Sequence, residues 1–359
     1  MKSFDVAALR LHNLQLSDHK CTKPEEVVAY LGAMQAQDYG AAKWAIGLRL
    51  PGITDDEIEA AFNAGSILRT HIMRPTWHFV APEDIGWMQQ LTAPRVRKLL
   101  SVYNKKLELT EAVFKKSNKI VTQALRNGNV LARSELATRL QKAGIVTNEL
   151  RLVHLVMWAE LDGVICSGPR KGKQFTYALL EERAPNPKSL QRDEALAELA
   201  RRYFTSHGPA TVNDFAWWSG LNAADSREGL EMIKSELLCE VVGVNTYWFP
   251  AGTKSAKPPS STYLLPNYDE FTVAYKDRSA VVTADRLKPS SGNQRDHVIF
   301  NNVIVDKGMV CGTWKRKIRT NDVELSFDTF ADRAPTVDKA IMRAASAYGK
   351  FLGLPIRTL

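Results

Sequence analysis

The stretch Ile67-Leu68-Arg69-Thr70-His71-Ile72-Met73-Arg74-Pro75-Thr76-Trp77-His78-Phe79-Val80 decides how the chain is read. It is rich in β-branched and aromatic residues and is interrupted once, at Arg74-Pro75. Two short strands joined through that interruption, a β-hairpin, follow from the pattern. Upstream, the acidic start Thr54-Asp55-Asp56-Glu57 opens a helix that ends at Gly65. Before it, Thr22 offers an N-cap, Pro24 a first-turn proline and Glu25 the closing acid of a capping box. An apolar stripe at Val27, Val28, Leu31 and Met34 continues that first helix. Helix, helix, hairpin is the outline of a winged helix.

The outline recurs downstream. A long helix from Thr110 to about Asn127, helices over 134–143 and 147–161, and strands over 164–166 and 175–179 make a second copy. The basic glycine turn from Ser167 to Gln174 joins those strands. After the linker Arg183-Ala184-Pro185-Asn186-Pro187-Lys188-Ser189, a helix from Leu190 ends near His207-Gly208-Pro209. A helix capped by Thr211 to Asp214, another from about Ala224 to Glu240, and a wing at Val241-Val242 and Tyr247-Trp248-Phe249 complete a third copy. From Pro258 apolar strands dominate, with Asp306-Lys307-Gly308 as a hairpin turn and a closing helix over 335–351. The expected division is 1–105, 106–187, 188–256 and 257–359, and the expected fold class is α+β.

The bulk properties fit such a chain. Its 359 residues exceed one ordinary core, and 45% hydrophobic with 24% charged residues reads as folded protein. No apolar run approaches a membrane span and Met1-Lys2-Ser3-Phe4-Asp5 opens no secretory signal, so a soluble cytoplasmic protein is the default. The net charge of +9 favours an anionic partner, nucleic acid first among them, although solubility alone explains the charge equally well. Cys21, Cys166, Cys239 and Cys311 lie far apart without a CxxC pair, which predicts isolated buried thiols. There is no phosphate-cradling glycine loop, HExxH or GxSxG, and no metal or cofactor is expected.

Several residues are candidates for chemistry. Met34-Gln35-Ala36-Gln37-Asp38-Tyr39 follows the first helix. Residues two apart share a face only in extended chain, so a cooperating Gln35 and Gln37 require the helix to end by about Met34 and Ala36 to turn inward. Against this, two glutamines at a helix end are more often simply solvated. In the hairpin, alternation sets Arg74, Thr76 and His78 on one face and Pro75, Trp77 and Phe79 on the other. That gives one wet, anion-facing side; the competing reading is a His78 bonded to a backbone carbonyl while Trp77 fills the core. Basic groups recur at Arg95, Arg97 and Lys98, at Arg170, Lys171 and Lys173, and at Lys315, Arg316, Lys317 and Arg319. Spread over successive modules, they suit a phosphate-tracking surface. Asp269, Glu270, Asp277 and Arg278 lie in Leu264 to Arg278, LLPNYDEFTVAYKDR, where a hydrolytic acid pair competes with a strand-end salt bridge to Arg278.

Taken together, Gln35-Ala36-Gln37, the hairpin, LLPNYDEFTVAYKDR and Gly312-Thr313-Trp314-Lys315-Arg316 resemble the winged-helix DNA glycosylases that unhook interstrand crosslinks. The similarity spans nearly the whole chain. It implies three tandem winged helices in a C shape, with a C-terminal β-containing extension. It also implies monofunctional hydrolysis of the N-glycosidic bond of N7-alkylated purines in double-stranded DNA, within base excision repair, by a monomer without cofactor. The family carries Gln-x-Gln or Gln-x-Asp at the catalytic position, so the resemblance gives Gln35 and Gln37 the catalytic role. Asp38 stands one place beyond the family's Asp. Candidate DNA contacts are Arg69, Arg74, Thr76, His78, Arg170, Lys171, Lys173, Lys315 and Arg316, with Trp77, Asp269, Asp277 and Arg278 as supports. The alternative class is a non-enzymatic winged-helix regulator. Its recognition helix would offer polar groups to base edges, whereas Thr147 to Gly163 is mostly apolar after Arg151. A weakly binding structural module is the third class.

Overall fold

The computed structural model describes residues 4–253, 261–283, 300–330 and 335–358. In chain order, the first third contains α1 (Val6–Asn13), α2 (Pro24–Leu31), β1 (Ala33–Gln35), α3 (Tyr39–Arg49), α4 (Asp55–Ala64), β2 (Leu68–His71), β3 (Trp77–Val80) and α5 (Ile85–Lys106). There follow α6 (Glu111–Leu125), β4 (Leu131–Ala132), α7 (Arg133–Lys142), α8 (Glu149–Leu161), β5 (Ile165–Ser167), β6 (Thr176–Leu179) and α9 (Leu180–Arg183). Next come α10 (Arg192–His207), α11 (Val212–Ser219), α12 (Ala223–Ile233), β7 (Leu237–Val242) and β8 (Asn245–Pro250). The last part holds β9 (Thr262–Leu265), α13 (Glu270–Val273), β10 (Val303–Asp306), β11 (Met309–Ile318), β12 (Val323–Thr329), α14 (Pro335–Leu352) and β13 (Ile356–Thr358). Mixed helix and strand content makes the chain α+β. It divides into two compact units, one formed by Met1–Glu59, Ala197–Trp218 and Asn222–Leu359, the other by Ala60–Leu196 and Ser219–Leu221.

In the first unit a five-stranded sheet runs β13-β12-β11-β10-β9, antiparallel except where β13 joins β12 in parallel. The β10–β11 turn has Lys307 and Gly308 at positive φ (48° and 84°), the two-residue geometry that Asp306-Lys307-Gly308 predicts. Helices α3 and α14 cover this sheet through an aromatic layer. Trp44 lies 5.0 Å from both Tyr348 and Phe351, and Trp314 lies 5.3 Å from Tyr348. The indole N–H of Trp44 donates to Leu264 O and that of Trp314 to Leu265 O, both at 2.8 Å, so both rings tie down β9. The approach of α14 to α3 depends on Gly47, where an added Cβ would sit 2.8 Å from the Phe351 ring. A second aromatic cluster, Tyr203, Phe204, Phe215 and Trp218, joins α10 to α11.

In the second unit, β2 and β3 form the expected antiparallel hairpin, with Leu68 opposite Val80 and His71 opposite Trp77. Arg74 to Thr76 belong to the turn and not to a strand. A three-stranded sheet, β4-β6-β5, packs with α6, α7 and α8 around Phe114, Leu125, Leu136, Leu140, Leu155 and Leu179. Thr110 caps α6 by accepting from Val113 N–H.

The chain departs from expectation in four places. The cap of α2 is Lys23, with Glu26 in the role assigned to Glu25: its carboxylate accepts from the Thr22 and Lys23 N–H groups. The helix expected to run to Glu240 stops at Ile233, and 237–240 pair with β8 instead, because the strand exchanges six residue pairs there. Helices α1 and α3 and the short α9 and α13 were not anticipated. Cys239 is exposed and Cys21 and Cys311 are half-buried, leaving Cys166 as the buried thiol. The boundary placed at 256 and the change of texture at Pro258 fall outside the described residues.

Candidate active site

The Gln-x-Gln segment lies outside its helix, as a cooperating pair requires, but only Gln35 belongs to a strand and Gln37 falls in the bend before α3. Helix α2 ends at Leu31, and Gly32 takes φ of +80°, a turn for which glycine carries no steric cost. The chain then runs extended through β1, with Ala33, Met34 and Ala36 buried. Gln35 is 8% exposed and Gln37 is exposed. Asp38 ends the segment as the N-cap of α3, its carboxylate accepting from Ala41 N–H at 3.0 Å. The Arg316 guanidinium donates to the same carboxylate at 3.2 Å and to the Tyr348 hydroxyl. Asp38 therefore has a local structural task, and Arg316, read as a DNA contact, is half-buried and turned toward it.

The acids of LLPNYDEFTVAYKDR lie behind this segment. Asp269 is fully enclosed, accepts two hydrogen bonds from Arg49 (2.9 and 3.1 Å), and caps α13 through Phe271 N–H. The salt bridge expected with Arg278 is thus made by Arg49, while Arg278 Nε donates to Thr272 O. Glu270, also buried, accepts from Gln35 N–H at 3.1 Å and from Trp218 Nε1–H at 3.0 Å, and lies 3.1 Å from His207 Nε2. Asp277 accepts from Ser279 N–H and Asn245 Nδ2. Burial pulls its pKa up, but the hydrogen bonds from Ser279 and Asn245 and the charge of Arg10 together hold it below the usual carboxylate value. Tyr268, a non-glycine at φ of 62°, is the further residue here that sequence reasoning passed over. Burial first, and the Asp38 carboxylate second, push its phenol pKa up. The signal available was its place in the same motif.

Apart from Lys315, the remaining candidates lie in the second unit. His78 is buried; its Nδ1–H donates to Thr76 O at 2.9 Å and its Nε2 faces the Arg74 guanidinium at 3.4 Å. Burial, then Arg74, pull its pKa well below 6.5. The wet face imagined for the hairpin is therefore not available at His78, because an imidazole enclosed beside a cation stays neutral. Arg69 is likewise buried, its guanidinium 4.4 Å from the Trp77 ring and 4.7 Å from the Phe175 ring. Arg170 lies 4.8 Å from the other neighbour of this stack, Phe175, and donates to Lys173 O. Lys171 and Lys173 are exposed on the β5–β6 turn, as is Lys315 on β11 of the first unit. Arg97 is drawn onto Leu161 O and Asp162. Among the described residues, no group of His, Cys, Asp and Glu could hold a metal ion and no helix is long and apolar enough to cross a membrane.

This geometry can be compared with known proteins. The family model described as DNA glycosylase AlkZ-like matches residues 28–351. The chain belongs to the AlkZ-like DNA glycosylase family. It is accordingly an enzyme acting on glycosyl bonds in DNA. The interstrand DNA cross-link repair glycosylase of Streptomyces sahachiroi is 26% identical over 372 residues, covering 98% of each chain. The solved structure of the Streptomyces sahachiroi DNA glycosylase AlkZ has the same fold, with a TM-score of 0.80 at 23% identity over 100% of both chains. The AlkZ-like match takes in the Gln-x-Gln segment, the hairpin and LLPNYDEFTVAYKDR alike.

Proposed function

We propose that the enzyme releases N7-alkylated purines from double-stranded DNA, with Gln35 and Gln37 as the catalytic pair. The observation that supports this reading is that both glutamines stand outside α2, Gln35 at the end of β1 and Gln37 exposed in the bend before α3, with Ala36 buried between them. An N7-alkylated purine is already cationic, so its glycosidic bond is weak and the leaving base needs no proton. What remains is to place a water against the anomeric carbon and to stabilise an oxocarbenium-like sugar. Amide carbonyls accept hydrogen bonds from such a water, and their dipoles face the developing charge; fixed in place, they act by positioning and preorganisation. No strong base is required.

We further read the three runs of helices with β-wings as tandem winged helices over 1–105, 106–187 and 188–256, followed by an α+β region. Lys171, Lys173, Arg170, Lys315 and Arg74 are the groups we assign to phosphates, since their exposure or partial exposure leaves them accessible. The name of the Streptomyces sahachiroi relative supports crosslinked duplexes among the substrates. Flipping a damaged base costs a few kcal/mol, and a crosslinked base cannot swing free, so the lesion is attacked where the protein meets the duplex. The test is incubation with a duplex carrying one N7-methylguanine, followed by alkali. Strand scission that appears only after alkali is expected of a monofunctional glycosylase. Release no faster than spontaneous depurination, with DNA binding intact, would sink the lesion assignment.

A further inference from the structure

Glu270 lies behind the segment to which we assign the chemistry, and its contacts converge on that segment. Its carboxylate is 1% exposed. One oxygen accepts from the Gln35 backbone N–H at 3.1 Å. The other accepts from Trp218 Nε1–H at 3.0 Å and lies 3.1 Å from His207 Nε2. A buried carboxylate is costly unless donors surround it, so the arrangement is built as a unit. Its supports are enclosed: Trp218 and His207 are fully buried, and the imidazole stacks on Tyr203 at 4.9 Å with 13° between planes. The imidazole Nδ1 is in turn 2.8 Å from Ser206 Oγ. At the other end of the segment, Arg316 holds Asp38. Gln35-Ala36-Gln37 is thus suspended between two charged anchors that come from sequence more than two hundred residues away.

We infer that Glu270 is a positioning residue for the Gln-x-Gln segment, fixing the Gln35 backbone and through it the direction of the Gln35 amide. This rests on the catalytic reading of the Gln pair. A general stabilising role would use any convenient partner; here the carboxylate spends one oxygen on the backbone N–H of a proposed catalytic residue. Hydrogen bonds to ionised groups are the strong ones, and an amide held by one has little freedom to tilt.

The experiment is single-turnover base release from the N7-methylguanine duplex by wild type, Glu270→Gln, Gln35→Ala and the double variant, with DNA affinity measured alongside. Glutamine keeps the size of Glu270 but presents an NH2 group where one accepting oxygen stood. Release by Glu270→Gln should fall roughly 10- to 100-fold, the kinetic equivalent of one charge-assisted hydrogen bond, with affinity within about threefold of wild type. That loss should vanish when Gln35 is already Ala, since residues acting as a unit are non-additive. A loss that multiplies with Gln35→Ala, or no loss at all, overturns the inference while leaving the Gln pair in place. If Gln35→Ala itself releases base at the wild-type rate, the reading of the pair fails instead. Should Glu270→Gln not accumulate as folded protein, Trp218→Phe removes one donor to the other oxygen of the same carboxylate. A severalfold loss is then expected, again absent beside Gln35→Ala, and its persistence there would count equally against the inference.

Discussion

His78 is held neutral by two causes that act together, enclosure in the hairpin and the guanidinium of Arg74 facing Nε2. Its folded pKa lies below the ordinary 6.5. Between the two values the unfolded chain binds a proton that the folded chain does not, so the stability it contributes is complete above 6.5 and is lost as pH falls toward the folded value. His154, lowered by burial, adds to the same slope. Thermal unfolding should therefore drop between about pH 7.5 and about pH 5.5, and the drop should be shallower in His78→Gln. Equal slopes for the two proteins would show that His78 is not the group responsible. At this scale the sequence distinguishes poorly between a buried and a displayed polar side chain. Arg74, Thr76 and His78 alternate as a strand face would, but the first and last strand residues could not be known, and the turn takes in Arg74 and Thr76. Glu270 received no role from the sequence because its true partners stand 52, 63 and 235 positions away.

Between α2 and α3 the backbone has only seven residues in which to leave one helix, run extended and begin the next. Gly32 allows the exit and Asp38 secures the re-entry, which makes the cap of α3 part of the support for Gln37. Asp38→Ala should lower stability by about 1–2 kcal/mol in urea unfolding, chiefly the lost cap with a smaller share from the half-exposed pair with Arg316. Asp38→Asn, which keeps an accepting oxygen, should cost less than half of that. An Asp38→Ala protein as stable as wild type would deny the cap its role. Elements with a clear period were legible: the hairpin at 68–80, α6 from its Thr110 cap, and the β10–β11 turn all stand where the residues put them. Helices α1 and α3 were not, for a physical reason. Almost every residue of α1 is buried, Arg10 included, and α3 buries Lys43 and Arg49 along with its apolar residues. Neither shows a polar face, and α3 carries Gly40 and Gly47, so the usual helical stripe is absent. The buried cations are satisfied from a distance, Arg49 by Asp269 and Lys43 by Asp55 and Glu59.

For the molecule as a whole, the sequence could deliver family and chemistry before it delivered three-dimensional support. Gln35-Ala36-Gln37 and LLPNYDEFTVAYKDR, the strings on which the resemblance was read, both lie within the 28–351 matched by the AlkZ-like family model. What those strings do for one another appears only in the fold, where the second backs the first through Glu270, while Asp269 of the same stretch ties down Arg49 on α3. The account therefore stands or falls on whether the amide pair is where base release happens. The measurement is single-turnover release of N7-methylguanine from a duplex by wild type, Gln37→Ala and Gln37→Asp, with DNA affinity determined for each. The account predicts a loss of roughly 100-fold or more for Gln37→Ala at unchanged affinity, as for other removed preorganised dipoles. The resemblance in the sequence implies that Gln-x-Asp can serve in place of Gln-x-Gln, so Gln37→Asp is expected to retain release. Wild-type release by Gln37→Ala would contradict the account and move the chemistry to another part of the chain.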